Sequence, residues 1–354
     1  MSKKNITIRG MQKRASRFIN CQNFEQLALL LRTPALKLLA LAADPEYREF
    51  YVPKKNGSRR QIEDPVPKLK RVQRKLNDYL QAVYYFHRTQ GAYGFLSLPV
   101  DDPQPRNIFT NASQHLGCKW LLNVDMKDFF HLVTFDRTVE LFSAPLLSFN
   151  EEMAKVLAGL CCYKGRLPMG APTSPILSNL ASIPLDQDLQ DYANDRGWTY
   201  TRYADDISFS ADKEITEQHI KEINDWIKAY DYLLNPTKIK LFGPKDVKIV
   251  TGLVVGKTEV KLTEDYQQSL NNAITQLGEI VDAKFYMPSG RYQNSPWVKE
   301  LQQQVQGKLA FARHILGEDD EKIIHLEMQM EEAMAPPEEY GPVSWLEFGY
   351  DFFK

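Results

Sequence analysis

Hydrophobic positions recur at helical spacing over residues 23–43, where Leu27, Leu30 and Leu31, then Leu38, Leu39 and Leu41, fall on shared faces. Thr33-Pro34 interrupts the run. Thr suits a helix N-cap and Pro a first helical position, so the pattern predicts two helices rather than one. REFYVPKKNGSRRQIEDP reads as two short strands around a turn at Lys54-Lys55-Asn56-Gly57, a helix is expected over 67–83, and the Pro- and Asp-rich stretch 97–107 reads as loop. From Cys118 the pattern changes to an apolar strand, CKWLLNVD, and residues 135–163 are mostly helical, with Met153, Val156, Leu157 and Leu160 at helical spacing. GRLPMGAPTSPILSNLASIPLDQDL is a Gly/Pro loop running into a helix in which Pro184 predicts a kink or a restart. Strands at 198–203 and 206–210 flank an Asp pair, a helix is expected at 214–230, IKLFGPKDVKIVTGLVVG carries further strands, and helices close the pattern at 263–282 and 296–316.

Composition narrows the class. At 354 residues the chain suits two or three domains, with 43% hydrophobic and 25% charged residues. No apolar run approaches the roughly 20 residues of a membrane span, and the basic start lacks the apolar run of a secretory signal. The four cysteines form no C-x-x-C pair, so a reduced cytoplasm and no structural metal are expected. A net charge of −1 conceals an asymmetry: residues 1–90 hold 19 Lys or Arg against 7 Asp or Glu, and 317–354 hold 2 against 11. Such a division suits a basic working surface and an acidic tail.

The chemistry concentrates at TRYADDISFS, residues 201–210. An unbroken strand would put Asp205 and Asp206 on opposite faces, whereas a tight hairpin at Ala204-Asp205 lifts both toward one spot. Asp125 ends the apolar strand, where a carboxylate needs a partner. If that strand neighbours the hairpin, three carboxylates converge, and oxygen-only ligands favour Mg²⁺ or Mn²⁺. Two such ions clamp the attacking and leaving oxygens of a phosphoryl displacement, which is nucleotidyl-transfer chemistry. Read singly, the Asp pair is a polar turn, Asp125 a helix cap and Phe130 a core ring. Read together, Lys54, Lys55, Arg59 and Arg60 lie on a hairpin able to close over a triphosphate, and Phe130 stands where a ring could exclude a 2′-hydroxyl.

VDMKDFF, GRLPMGAPTSPILSN, TRYADDISFS and NPTKIKLFG resemble, in order and spacing, the successive motifs of reverse transcriptases, over about residues 45–315. Asn111-Ala112-Ser113-Gln114-His115 resembles the N-A-x-x-H element of bacterial retron reverse transcriptases, and Val250-Thr251-Gly252 their V-T-G element. The resemblance implies an α+β right-hand polymerase fold whose antiparallel palm sheet is backed by helices. The implied division is a helical segment at 1–50, fingers at 51–117 and 133–165, palm at 118–132 and 166–262, thumb at 263–316, and an acidic, aromatic extension at 317–354. Asp125, Asp205 and Asp206 would be the catalytic, metal-binding triad for two Mg²⁺ ions, with Mn²⁺ an alternative. Lys55, Arg60, Phe130, Met169 and Lys238 would meet the nucleotide, while Asn111, Ala112, His115, Val250, Thr251 and Gly252 would serve RNA recognition.

Implied partners are deoxynucleotide triphosphates, a cognate structured noncoding RNA with its DNA product, and an effector protein; an oligomer is open and no membrane is expected. The family copies part of its own RNA from a guanosine 2′-hydroxyl, giving RNA-linked DNA, in systems that defend bacteria against phage. Met169 stands where relatives commonly have Gln, and Met cannot donate Gln's hydrogen bonds. Another prokaryotic reverse transcriptase, a template-independent defence polymerase and a silent RNA-binding scaffold are the alternatives.

Overall fold

The computed structural model describes residues 6–53, 57–285 and 296–335. They fall into two compact units that divide between Thr251 and Gly252.

The first unit opens with α1 (Ile8–Ile19), α2 (Phe24–Leu30) and α3 (Ala35–Ala43). Thr7 caps α1 by accepting from the Gly10 amide, and Met11, Ala15 and Phe18 form its buried stripe. The break at Thr33-Pro34 is present, one residue later than expected. The Thr33 hydroxyl turns back to the Leu31 carbonyl at 3.0 Å, and Pro34, with ψ 141°, takes the cap position without a side-chain bond. β1 (Tyr47–Pro53) and β2 (Arg59–Pro65) form the expected antiparallel hairpin, with Tyr47 opposite Pro65. Its turn, with Lys54 and Lys55, lies outside the described residues. α4 (Pro67–His87) runs beyond the expected end because Val83, Tyr84 and Tyr85 continue its buried face. A loop leads to α5 (Ile108–Ser113), opened by a capping box between Asn107 and Thr110.

The sheet that organises this unit is assembled from strands far apart in sequence. β3 (Trp120–Lys127) is followed by α6 (Phe135–Ser143), α7 (Glu151–Cys161), α8 (Ser174–Ala181) and α9 (Ile183–Asn194). The helical stretch expected at 135–163 is thus two helices, the second capped by Asn150. Pro184 gives a restart: Ser182 links α8 to α9, and Pro184 sits in the first turn, where its missing N–H costs nothing. Then come β4 (Thr199–Tyr203), β5 (Asp206–Ala211), α10 (Glu217–Ala229), β6 (Leu233–Leu234), a 3₁₀ turn (Pro236–Lys238), β7 (Lys240–Phe242) and β8 (Ile249–Val250). β3 is central. β5 pairs along one side of it and carries β4 beyond, while β6 and β7 pair with the two ends of its other side, all antiparallel. Leu122, Val124, Ile207 and Phe209 bury the inner face in one cluster with Leu185 and Leu189 of α9 and Ile223 and Ile227 of α10. An antiparallel sheet with helices on one face is the expected α+β arrangement.

The second unit contains the hairpin β9 (Leu253–Val255) and β10 (Val260–Leu262), then α11 (Glu264–Phe285), α12 (Pro296–Leu316) and α13 (Glu321–Met334). The Tyr266 hydroxyl donates to the Lys308 carbonyl at 2.9 Å, tying α11 to α12. α13 was not foreseen: Asp320 caps it, and its Ala333 packs against Gly278 of α11. The acidic extension therefore begins as a packed helix, while Tyr340, Trp345, Phe348, Tyr350, Phe352 and Phe353 lie outside the described residues.

A buried ion pair joins the sheet to its helices. Arg202 on β4 is 1% exposed, and its Nε and Nη2 each donate to an oxygen of Asp186 on α9 at 2.6 Å. Its Nη1 donates to Asn179 Oδ1 on α8 at 3.0 Å and to the Ala204 carbonyl at 2.9 Å. Tyr200 adds a hydroxyl bond to Asp186 at 2.7 Å. Removing one partner leaves an uncompensated charge in the core, so Asp186→Ala should cost about 3–5 kcal/mol of unfolding free energy. Denaturant titration of both proteins measures this, and a cost under about 1 kcal/mol would show that the pair contributes little.

Candidate active site

Register brings the first two carboxylates together. In the β3–β5 ladder Asp125 lies directly opposite Asp206, so their side chains share a face. β4 and β5 join through a two-residue turn, Ala204-Asp205, with Tyr203 opposite Asp206. Ala204 has φ +60°, the first-position conformation of a type II′ hairpin turn, which usually falls to glycine. The surroundings hold it there. The Met126 amide donates to the Asp205 carbonyl at 2.9 Å from one side, and Arg202 binds the Ala204 carbonyl from below. On the other side residues 91–94 run alongside β4, with Arg202 N to Gly91 O at 2.7 Å and Tyr93 N to Arg202 O at 2.8 Å. Gly94 passes so close that a Cβ there would lie 2.4 Å from the Ala204 nitrogen. The hairpin expected at Ala204-Asp205 is present, and Asp125, Asp205 and Asp206 interact as one charged group.

That interaction is visible in their proton affinities. Loss of hydration, then the charges of Asp205 and Asp125, push Asp206 up to about 6. Asp205 is raised by burial and by Asp125, against the lowering influence of Lys238 and Arg60. Asp125 is 6% exposed, and Lys238 Nζ donates to its Oδ2 at 2.6 Å. This bond raises the ammonium pKa. Lys238 reaches the site because the Asn235 amide donates to the Asp125 carbonyl at 2.8 Å and Asn235 Oδ1 caps the 3₁₀ turn that follows. Among the described residues no three His, Cys, Asp or Glu side chains are drawn together as a finished metal site, and Asp125 is engaged by Lys238. The donors nevertheless suit a hard cation: three carboxylates, one of them raised to about 6 by burial and by the charges of the other two.

Around the triad, Arg60 on β2 is exposed and its charge reaches Asp205. Lys55 lies outside the described residues. Phe130 is partly buried, with its ring centroid 5.8 Å from those of Phe95 and Phe129. Phe95 itself has φ +60°, and the buried Gln81 fixes its loop by donating to the Phe95 carbonyl at 2.9 Å. Met169 meets the hairpin through its backbone: its carbonyl accepts from the Glu63 amide at 2.7 Å. Next to it Gly170 has φ +133°, and a Cβ there would lie 2.8 Å from the Glu63 carbonyl. The Glu63 carboxylate, 1% exposed, takes a two-pronged bond from Arg166 at 2.8 and 2.9 Å. The hairpin and the Gly/Pro loop are therefore locked together whatever side chain residue 169 carries.

The two elements expected to read RNA have a different position. Asn111, Ala112 and His115 are buried at 1%, 0% and 0% exposure. His115 bonds the Ser210 hydroxyl through Nδ1 at 2.7 Å and the Thr201 hydroxyl through Nε2 at 2.8 Å, cross-linking β5 to β4. Burial lowers its pKa to about 3, so it is a neutral strut. These three side chains are interior, and His115 supports the sheet. Val250 is also buried, while Thr251 and Gly252, at φ +48° and +82°, form a positive-φ pair at the division between the units. The Thr251 hydroxyl donates to the Ile108 carbonyl at the start of α5, 3.4 Å away, so the two elements meet although 143 residues separate the bonded positions. Asp186, Asn179, Gly94 and the Glu63–Arg166 pair were not foreseen. An acid on a helix face that is otherwise core, LDQDL, was the available sign for Asp186.

Residues 52–261 match the family model described as reverse transcriptase (RNA-dependent DNA polymerase). The retron Ec86 reverse transcriptase of Escherichia coli is 34% identical over 258 residues, covering 68% of this chain and 73% of that protein. The retron Mx65 and Mx162 reverse transcriptases of Myxococcus xanthus are 32% and 30% identical over 60% and 70% of this chain, which spans 52% and 56% of their lengths. Among solved structures, telomerase from Candida albicans aligns with 83% of this chain and 61% of its own at 10% identity, with a TM-score of 0.44. The matched residues take in β3, the Asp205-Asp206 turn and the sheet between them, and the chain belongs to the bacterial retron reverse transcriptases, which are RNA-directed DNA polymerases.

Proposed function

We propose that this enzyme partially copies its own structured noncoding RNA into single-stranded DNA, priming from a guanosine 2′-hydroxyl so that the product stays branched and RNA-linked. The observation that carries the polymerase chemistry is the junction of Asp125, Asp205 and Asp206, with Asp206 raised to about 6 by burial and by its two neighbours. In this reading the three carboxylates hold Mg²⁺ or Mn²⁺, two ions in all, which supply activation of the attacking hydroxyl and stabilisation of the departing pyrophosphate. Asp205 and Asp206 are the pair fixed by the turn, and Lys238 exchanges its bond to Asp125 for the phosphates of a bound nucleotide. Lys55 and Arg60 grip the triphosphate from the β1–β2 hairpin. The Phe130 ring fills the space of a ribose 2′-hydroxyl.

Residues 51–117 and 133–165 then act as fingers, 118–132 and 166–262 as palm, 263–316 as thumb, and 317–354 as a docking extension for an effector protein or a second copy. A bacterial cytoplasmic antiphage system is the setting proposed for the enzyme and its hybrid.

Asp205→Asn keeps the side chain's size and removes its charge, so it should abolish DNA synthesis while the folded protein keeps its RNA. Primer extension and RNA extraction on the same preparation check this; an active variant would overturn the assignment. Phe130→Ala should raise ribonucleotide incorporation by about tenfold or more while lowering deoxynucleotide incorporation less. Competition between the two nucleotides on one template measures it, and an unchanged ratio would return Phe130 to the core.

Asp206 gives a pH signature in the metal-free protein. Its folded pKa lies above the unfolded value near 3.8, so the folded state binds the extra proton between those values. Its contribution to stability is present below about pH 4 and is lost as pH rises to about 6. Thermal melts in chelator should show wild type losing stability over this window relative to Asp206→Asn. Parallel curves would show that Asp206 is not raised above its ordinary value.

A further inference from the structure

A second concentration of charge lies on the N-terminal helices. α1 carries Arg9, Lys13, Arg14 and Arg17 and no acidic residue. Met11, Ala15 and Phe18 bury one face of it, and Phe18 stacks on Tyr79 of α4 at 5.7 Å. Arg9, Lys13 and Arg17 recur every four residues on the exposed side, about 6 Å apart along the axis. Among the described residues none of the three enters an ion pair.

The positive strip continues beyond α1. Arg17 and Arg32 border one open groove of about 620 Å³. Burial, then the charges of Arg32 and Arg71, lower the pKa of Lys75, and no acidic group is among the charges acting on it. Lys75 Nζ is bound to the Leu31 carbonyl at 2.7 Å, so the exposed Arg32 and Arg71 are the charges that face solvent. Like charges gathered on one surface repel one another, and a polyanion removes that cost.

We propose that the strip Arg9, Lys13, Arg17, Arg32 and Arg71 is a backbone-binding surface for folded parts of the enzyme's RNA that are not being copied. This rests on the reading that the enzyme carries a structured RNA. Cations in a line meet successive phosphates and fix register without reading bases, a role the buried Asn111, Ala112 and His115 cannot fill. A membrane is the poorer occupant, because a membrane-surface helix needs a free apolar face and that of α1 is already spent on the core.

The test uses full-length protein with the substitutions Arg9→Gln, Lys13→Gln and Arg17→Gln together, and the RNA extracted from purified wild type. Binding is measured across a KCl series. The slope of log affinity against log salt should become shallower by about 3, one for each cation removed, with affinity lower by about tenfold or more at moderate salt. Arg9→Lys with Arg17→Lys should keep both slope and affinity, and an unchanged melting temperature of the triple variant shows that α1 still folds. An unchanged slope overturns the proposal, as does unchanged RNA binding with loss of wild-type binding to vesicles of anionic lipid. Wild type that carries no RNA and extends no primer would instead overturn the underlying functional reading.

Discussion

The Arg202–Asp186 pair is the interaction on which the site depends. A guanidinium and a carboxylate, 1% and 0% exposed, are affordable in a core only when nearly every donor and lone pair is used. Here two donors go to Asp186, while one nitrogen serves both Asn179 and the Ala204 carbonyl. Asp186 in turn accepts from Tyr200, and Asn179 donates to the Gly94 carbonyl at 2.9 Å. Helices α8 and α9, strand β4 and the 91–94 segment are thereby referenced to one charge, and that charge touches the turn carrying Asp205. Position is transmitted through bonds whose loss would expose a buried charge, which makes the arrangement stiff.

Stiffness has a use at this place. Three carboxylates with one lysine among them repel, and burial together with the charges of Asp205 and Asp125 raises Asp206 to about 6. The simplest relief would be to let the turn move away. It is prevented by the Met126–Asp205 backbone bond, by Arg202 and by Gly94, which leaves no room for displacement toward residues 91–94. Positive φ at Ala204, Phe95 and Asp128, none of them glycine, gathers around the same region. Strained backbone persists where packing over-determines it, and here it holds the three carboxylates together.

Much of this was legible. The turn followed from alternation: two adjacent aspartates cannot share a face unless the strand breaks between Tyr203 and Asp206. The ordered motifs carried the family, and apolar spacing gave most helices. The cap at Pro34 was missed because propensity says which residues suit an end but not which of two neighbours is left extended by the next helix's packing. α13 was missed because its acidic, weakly amphipathic sequence becomes a helix through contact with α11, a tertiary cause. Partnerships such as Arg202 with Asp186, or Glu63 with Arg166, leave no periodic trace. They join positions 16 and 103 residues apart through geometry that only the fold supplies.

The burial of Asn111, Ala112 and His115 carries a more general point about motifs. A short element can mark a family because it touches the ligand or because many other parts depend on it. His115 belongs to the second kind: with its pKa near 3 it stays neutral, and its two ring nitrogens bind hydroxyls on adjacent strands at 2.7 and 2.8 Å. α5 in turn receives the Thr251 hydroxyl, and Asn123 on β3 donates to the Ile249 carbonyl at 2.6 Å. Ile249 and Thr251, at the end of the first unit, are thus bonded to β3 and to the start of α5. Residue 169 shows the complementary case. Its backbone carbonyl is engaged by Glu63 and the neighbouring backbone is fixed by Gly170, so the side chain at 169 can change without unlocking the loop from the hairpin. Any loss from that exchange falls on contacts made by the side chain, and leaves the scaffold intact.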